Sequence, residues 1–254
     1  MALLGNGAYT YEASGEDWGE LPEGWTYKEA TSVAVDSRDD VYVFNRGGHP
    51  IIVYNREGKF LRSWGDDIFT VPHGIAIGPD DTLYCADTAE NTVRKFTREG
   101  KLLMTLGVKG RSSPPMSGEP FCCPTHLAVD QRNGDLYVSD GYGNARVHKY
   151  SPHGEHIISW GDPGIDPGQF LCPHNIALRG ERLYVADRES HRVQIFDLEG
   201  RLVTVWNNIH RPCGLSIGPD GNVYIGELHG VDLMEGALGI GHRISVFDPD
   251  GALL

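Results

Sequence analysis

No stretch of this chain approaches the length of a membrane span, and the first twenty residues, MALLGNGAYTYEASGEDWGE, lack both a basic leader and a long apolar run. The sequence therefore predicts no membrane partner and, by default, a cytoplasmic location. Basic residues are scarce: 22 Lys and Arg face 35 Asp and Glu, a formal charge of −13 that repels nucleic-acid phosphates and anionic membranes. Cysteines number five, an odd count without framework spacing, and Cys122 and Cys123 are adjacent, so free thiols are expected rather than a disulfide scaffold. Helical spacing of apolar residues is missing as well. What is abundant is glycine, 33 residues, joined by 15 prolines recurring between short apolar runs, a pattern of many turns rather than of disorder.

Those turns punctuate an internal repeat. Five units stack: Glu29 to Gly65, Val71 to Gly107, Cys123 to Gly161, Cys172 to Trp206, and residues 210–254, the last interrupted around VDLMEGALGIG. Each unit opens on an apolar run and turns on Pro-Asp-Asp or a similar motif. It continues through Leu-Tyr-x-x-Asp, a loop and an alternating Arg-Val-x-x-Phe/Tyr stretch. A Glu-Gly or Asp-Gly turn then leads to an end near Trp-Gly. Four short strands per repeat of roughly forty residues is the signature of a β-propeller blade. The fold class is all-β, one propeller domain over residues 1–254. The spacer VKGRSSPPMSGEPF, Val108 to Phe121, reads as a loop on one face or as a disordered segment.

Two units begin alike, VPHGIAI from Val71 and CPHNIAL from Cys172, each with Pro-His ahead of its first strand. The equivalent slots hold Thr31, Thr125 and Cys213, so the repeat itself does not require histidine. Asp87, Asp140 and Asp187 recur at one position and read as structural hydrogen-bonding residues. Trp64 and Trp160 read as blade-packing aromatics. His49 and His126 read as surface or loop histidines, and His148, His153, His156 and His191 fall at turns or strand edges.

VSDGYGNARVHKYSPHGE, GQFLCPHNIAL, VADRESHRVQIF, VFNRGGHPIIVY and VPHGIAI together resemble the NHL-repeat propellers of the peptidyl-α-hydroxyglycine α-amidating lyase type. The similarity runs over all five repeats. It implies a six-bladed ring with a zinc ion in the central channel, two of whose histidine ligands map onto His73 and His174. It implies a deeper calcium ion bound by backbone carbonyls that map onto Val33 and Ile75. The catalytic tyrosine maps onto Tyr142, and the substrate-facing arginines onto Arg46 and Arg188. The implied reaction splits the N–C bond of a peptidyl or N-acyl α-hydroxyglycine into an amide and glyoxylate.

Those residue types suit that chemistry. Neutral imidazoles suit zinc, a nearby cation equips a tyrosine for proton abstraction, and guanidinium forks fit a carboxylate. The third zinc histidine of the family stands on the sixth blade, which has no counterpart before Leu254. A truncated ring is therefore expected, with an exposed fifth-blade edge prone to self-association. The N-terminal strand, residues 8–12, is of the kind that completes a blade. Cys213, one blade from His174, reads as a small buried residue rather than as the missing ligand. A small-molecule or peptide-like substrate is expected. The alternatives are a non-catalytic NHL platform binding a protein or ligand, and a calcium-dependent propeller hydrolase or lactonase.

Overall fold

Each repeat contains a glycine that only a left-handed turn can explain. Gly58, Gly100, Gly154, Gly200 and Gly251 all have φ between 79° and 93°, and each stands three residues after an Asn, Thr, Ser or Asp whose side chain accepts the N–H of the residue following the glycine. The turn closes a hairpin whose ladder shifts register at once, for example between Val53 and Tyr54 and between Ile195 and Phe196. The bulge twists the outermost strand of each four-stranded blade, as the propeller requires.

The computed structural model describes residues 3–12, 18–229 and 241–254. A short hairpin, β1 (Leu3–Asn6) and β2 (Tyr9–Glu12), precedes the blades. Blade one is β3 (Ala30–Val35), β4 (Val41–Asn45), β5 (Ile51–Tyr54) and β6 (Phe60–Trp64). Blade two is β7 (Pro72–Ile77), β8 (Leu83–Asp87), β9 (Thr92–Phe96) and β10 (Leu102–Leu106). Blade three is β11 (His126–Val129), β12 (Leu136–Asp140), β13 (Arg146–Tyr150) and β14 (His156–Trp160). Blade four is β15 (Pro173–Arg179), β16 (Arg182–Asp187), β17 (Arg192–Phe196) and β18 (Leu202–Trp206). Blade five is β19 (Pro212–Ile217), β20 (Val223–Glu227) and β21 (Arg243–Phe247). Every blade is an antiparallel meander whose first strand is innermost. The protein is an NHL-type β-propeller arrangement of five blades, as the repeats predict.

Blade five departs from the four-strand expectation. Among the described residues its sheet has three strands, and a bridge between Phe247 and Leu253 stands where the fourth would pair. The insertion expected around VDLMEGALGIG lies, at 231–240, outside the described residues. The N-terminal strand also departs: β2 pairs with β1 in a sheet of its own rather than completing a blade. It reaches blade five through side chains, Tyr11 Oη to Tyr224 Oη at 3.2 Å and Asn222 Nδ2 to Tyr9 Oη at 3.4 Å. The spacer after β10 is an ordered loop. Ser113 N–H donates to the Phe121 carbonyl at 2.8 Å, and buried Phe121 joins the core between blades two and three.

The core lies between blades. Alternating apolar residues of each sheet face the next one, which buries surface worth roughly 1.5–3 kcal/mol per large side chain. Each outermost strand ends in a large residue under the next blade's turn glycine. A Cβ on Gly100, Gly200 or Gly251 would lie 2.7, 2.6 or 2.4 Å from Trp64, Trp160 or Trp206 respectively, and Leu106, at the equivalent strand end, lies beneath Gly154 at 3.0 Å together with Met104 at 2.8 Å. Trp64 and Trp160 are thus the inter-blade packing residues the sequence suggests. Innermost strands pack in succession, β3 on β7, β7 on β11, β11 on β15 and β15 on β19. Among the described residues β19 has no comparable packing on β3, which leaves the Val33 and Val35 side chains exposed.

Candidate functional site

The recurring acid after the second strand sets the site. Buried Asp87 accepts N–H bonds from Thr70 at 2.7 Å and Val71 at 3.0 Å, and Asp187 accepts from Leu171 and Cys172, each at 3.0 Å. Asp140 receives Cys122 N–H, Glu227 receives His210 N–H, and Asn45 receives Lys28 and Glu29 N–H. The clamp holds the chain as it enters the innermost strand, which confirms the structural reading of these aspartates. Immediately afterwards the ladder slips, between Pro72 and Ile75 in blade two and between Pro173 and Asn175 in blade four. His73 and His174 sit in these bulges, where a side chain is re-aimed out of the sheet's alternation.

The two imidazoles meet. Their ring centroids lie 4.9 Å apart, and both Nε2 atoms are 2.9 Å from the Tyr142 hydroxyl. Tyr142 arrives from blade three on the loop after β12. Gly141 is required there because a Cβ would lie 2.2 Å from the Pro173 carbonyl oxygen. The ordered spacer braces the same loop, Met116 N–H donating to the Gly143 carbonyl at 2.8 Å. Arg188, at the start of a single 3-10 turn (Arg188–Ser190), lays its guanidinium over the Tyr142 ring at 5.4 Å and points Nη1 at the hydroxyl, 3.4 Å away.

Arg46 occupies the matching loop of blade one. The N–H groups of Arg46 and Arg188 donate to the carbonyls of Glu29 and Cys172, the same register in both repeats. Its Nε donates to the Pro72 carbonyl at 3.0 Å, next to His73, and its Nη1 pairs with Glu29 at 2.7 Å. His73, His174, Tyr142, Arg46 and Arg188 thus come together at one end of the channel. Val33 and Ile75 lie on the neighbouring innermost strands β3 and β7.

The proton positions follow from the partners. Burial, then like charge from His126 and Arg46, pushes His73 down to about 4, and burial with the facing His73 holds His174 well below the usual histidine range. Both rings are neutral at pH 7. His174 Nδ1 lies 3.0 Å from the Cys213 carbonyl oxygen and must donate to it, so Nε2 carries the lone pair. Tyr142 therefore donates its O–H to His174, and His73 Nε2–H donates to the Tyr142 oxygen. That leaves His73 Nδ1 buried with no hydrogen-bond partner among the described residues. Burial raises the Tyr142 hydroxyl above its ordinary value, against the lowering field of Arg188.

The donor set fits part of a zinc site. His174 already presents a bare Nε2, and His73 presents one in its other tautomer, in which the unpartnered Nδ1 carries the proton. Among the described residues no group of three or more His, Cys, Asp or Glu converges on a common point. Cys213 is not a third ligand for that point: its Sγ lies 3.5 Å from His174 Nδ1, on the far side of the ring. All five cysteines are free.

Two histidines differ from their sequence reading. His126 is no surface residue: its Nε2 bonds Ser32 Oγ at 3.3 Å on the innermost strands, and burial pushes it down to about 4. His148 is fully buried rather than at an edge, with Nε2 3.2 Å from Asp140 and Nδ1 2.7 Å from Ser159 Oγ. It takes the place that Arg94 takes beside Asp87, a partner for the clamp. His49 does lie in a loop, stacked on Trp25 at 3.3 Å. Sequence reasoning missed Glu189, which bridges Arg188 Nε at 2.6 Å and Arg211 Nη2 at 3.1 Å. Its position next to Arg188 was the only signal.

Fold and repeats together define an NHL-repeat β-propeller with a two-histidine, one-tyrosine channel site. The NHL repeat family matches residues 121–150 and 170–196. In sequence the chain resembles the peptidyl-α-hydroxyglycine α-amidating lyases. It is 42% identical over 152 residues to peptidyl-alpha-hydroxyglycine alpha-amidating lyase 1 of Drosophila melanogaster, covering 55% of this chain and 27% of that one. It is 34% identical over 203 residues to the peptidylglycine alpha-amidating monooxygenase of Rattus norvegicus, covering 66% of this chain. This chain spans 20% of the length of that rat protein. Human NHL repeat-containing protein 3 is 33% identical over 227 residues, covering 82% of this chain and 64% of its own. Among solved structures, a Bacteroides caccae protein of unknown function shares the fold, with a TM-score of 0.65, 18% identity and coverage of 97% of this chain and 84% of that one.

Proposed function

We propose that this chain is a carbon–nitrogen lyase that splits a peptidyl or N-acyl α-hydroxyglycine into an amide and glyoxylate. The observation that carries the reading is the Tyr142 hydroxyl, held 2.9 Å from both His73 and His174 and 3.4 Å from Arg188, in a chain similar to proteins named for this activity. Arg46 and Arg188 bind the substrate carboxylate. Tyr142, as phenolate under the Arg188 guanidinium, takes the proton of the carbinol hydroxyl. The O–H electron pair becomes the new C=O bond, the C–N bond breaks, and the departing amide nitrogen takes the proton back from Tyr142.

His73 and His174 would hold a zinc ion through Nε2, which supplies a Lewis acid that lowers the pKa of oxygens bound to it. The raised pKa of Tyr142 without such a cation is the physical reason one is wanted. A calcium ion on the Val33 and Ile75 carbonyls is a structural part of the same proposal.

Release of glyoxylate from an N-acyl-α-hydroxyglycine by the purified protein, with and without added zinc, tests the reading. No release above the variant Tyr142→Phe under either condition sinks it. A binding platform without catalysis is the second reading. The similarity covering the larger share of this chain, to human NHL repeat-containing protein 3, favours it.

A further inference from the structure

The grooves between successive blades share one frame, which lets each serve as a control for the others. Between blades one and two, Asp36 follows the end of β3, Asp40 stands two residues before Tyr42, Arg62 is on β6, and Arg98 stands two residues before Gly100. These charges neutralise one another. Arg98 Nε lies 3.2 Å from Asp36, Arg62 Nη1 lies 3.6 Å from Asp40, and Tyr42 donates its O–H to Asp36 at 3.0 Å. Between blades three and four, Asp130 pairs with Arg132 at 2.7 Å and Asp135 with Lys149 at 3.5 Å.

Between blades four and five the pattern is inverted. Leu178 pairs with Leu183 as Val35 pairs with Val41, so Arg179 stands where Asp36 does, and Arg182, two residues before Tyr184, stands where Asp40 does. Thr204 pairs with Ile195 as Arg62 pairs with Val53, and Pro249 stands two residues before Gly251. Relative to the groove between blades one and two, both acids have become arginines and both arginines neutral; between blades two and three the four positions, Gly78, Thr82, Met104 and Pro152, carry no charge to oppose. Arg179 and Arg182 are directly opposed in the hairpin ladder, an arrangement that repels unless something negative lies between them.

The space vacated is a cavity of about 320 Å³, lined by Arg179, Arg182, Tyr184, Thr204, Trp206 and Asp250 among others. Among the described residues neither arginine makes an ion pair, although Asp250 is on the wall and Glu181 lies between them in sequence. The size suits a small ligand, and guanidinium forks over an aromatic floor are the chemistry of anion recognition.

We propose that this cavity binds a small organic anion bearing carboxylate or phosphate groups, whose charge replaces that of the two missing aspartates. It is separate from the channel site and does not depend on the lyase reading. Calorimetry at low ionic strength with citrate and with inorganic phosphate tests it. The expected result is saturable binding of at least one probe at one per chain. The affinity falls at least ~10-fold in Arg179→Gln/Arg182→Gln and is unchanged in Arg46→Gln/Arg188→Gln. Tighter citrate assigns a carboxylate ligand, and tighter phosphate assigns a phosphate-bearing one. Both arginines are exposed, so the double variant should fold, and its circular dichroism checks this. Equal affinity in wild type and the Arg179→Gln/Arg182→Gln variant, or no saturable binding of either probe, overturns the proposal.

Discussion

Tyr142 donates its phenolic O–H in a hydrogen bond to Nε2 of His174, because the other nitrogen of that ring is committed to the Cys213 carbonyl 3.0 Å away. A backbone atom of blade five thereby sets the hydrogen-bond direction of a side chain from blade three through a histidine of blade four. The first prediction concerns that hydroxyl. Tyr142→Phe keeps the ring under Arg188 and removes only the oxygen, so glyoxylate release should fall by about 10²–10⁴-fold. The melting temperature should barely move, since the side chain is 40% exposed. Activity within threefold of wild type would rule out Tyr142 as the base.

Removing a bound metal should act through the same oxygen. Dialysis against a chelator is expected to abolish glyoxylate release, and zinc to restore it in wild type but not in His73→Ala/His174→Ala. Full activity of the chelated, metal-free protein would show that the two imidazoles serve proton positioning instead.

Glu189 is expected to act through Arg188. It holds Nε at 2.6 Å, so Glu189→Gln should loosen the guanidinium over Tyr142 and raise KM about tenfold while kcat changes less. Steady-state kinetics separates the two constants. A purely structural role would lower the melting temperature and leave KM alone.

Stability should fall as the solution is acidified from pH 6.5 toward 4. His126 is held neutral, with its pKa pushed down to about 4 by burial, whereas in the unfolded chain it binds a proton near 6.5. Over that window the unfolded state carries more protons, so unfolding becomes easier as pH drops, and the contribution is complete above 6.5. His126→Gln should remove on the order of 2 kcal/mol of that pH dependence, read from denaturant midpoints at pH 7 and pH 4.5. An unchanged slope would mean that this imidazole stays hydrated in the fold.

Asp187→Ala should be the harshest of these changes. It leaves Leu171 N–H, Cys172 N–H and buried Arg192 without their acceptor, a loss of about 3–5 kcal/mol. For a chain of this size that lowers the melting temperature by roughly 6–20 °C. Asp87→Ala should behave alike because the clamp is the same.

The strands, turns and blade boundaries were legible in the sequence because they are local. A glycine at positive φ, an aspartate that bonds backbone N–H groups across one hairpin and a period of two are each satisfied within one repeat. Pro-His in two repeats likewise announced two equivalent histidines. The sequence could not say that His126 is half-buried on the innermost strands and His148 fully buried, because their positions in the repeat are filled by other residue types elsewhere. Nor could it show that β2 prefers β1 over a blade, since strand pairing is decided by which partner is within reach. Composition, repeat length and the slots of His73, His174, Tyr142, Arg46 and Arg188 were determined by the sequence alone. Their meeting at one oxygen, the tautomer of His174 and the inverted charges between blades four and five were decided by tertiary structure. Each depends on atoms brought together from separate blades, and only packing around the common axis fixes those distances.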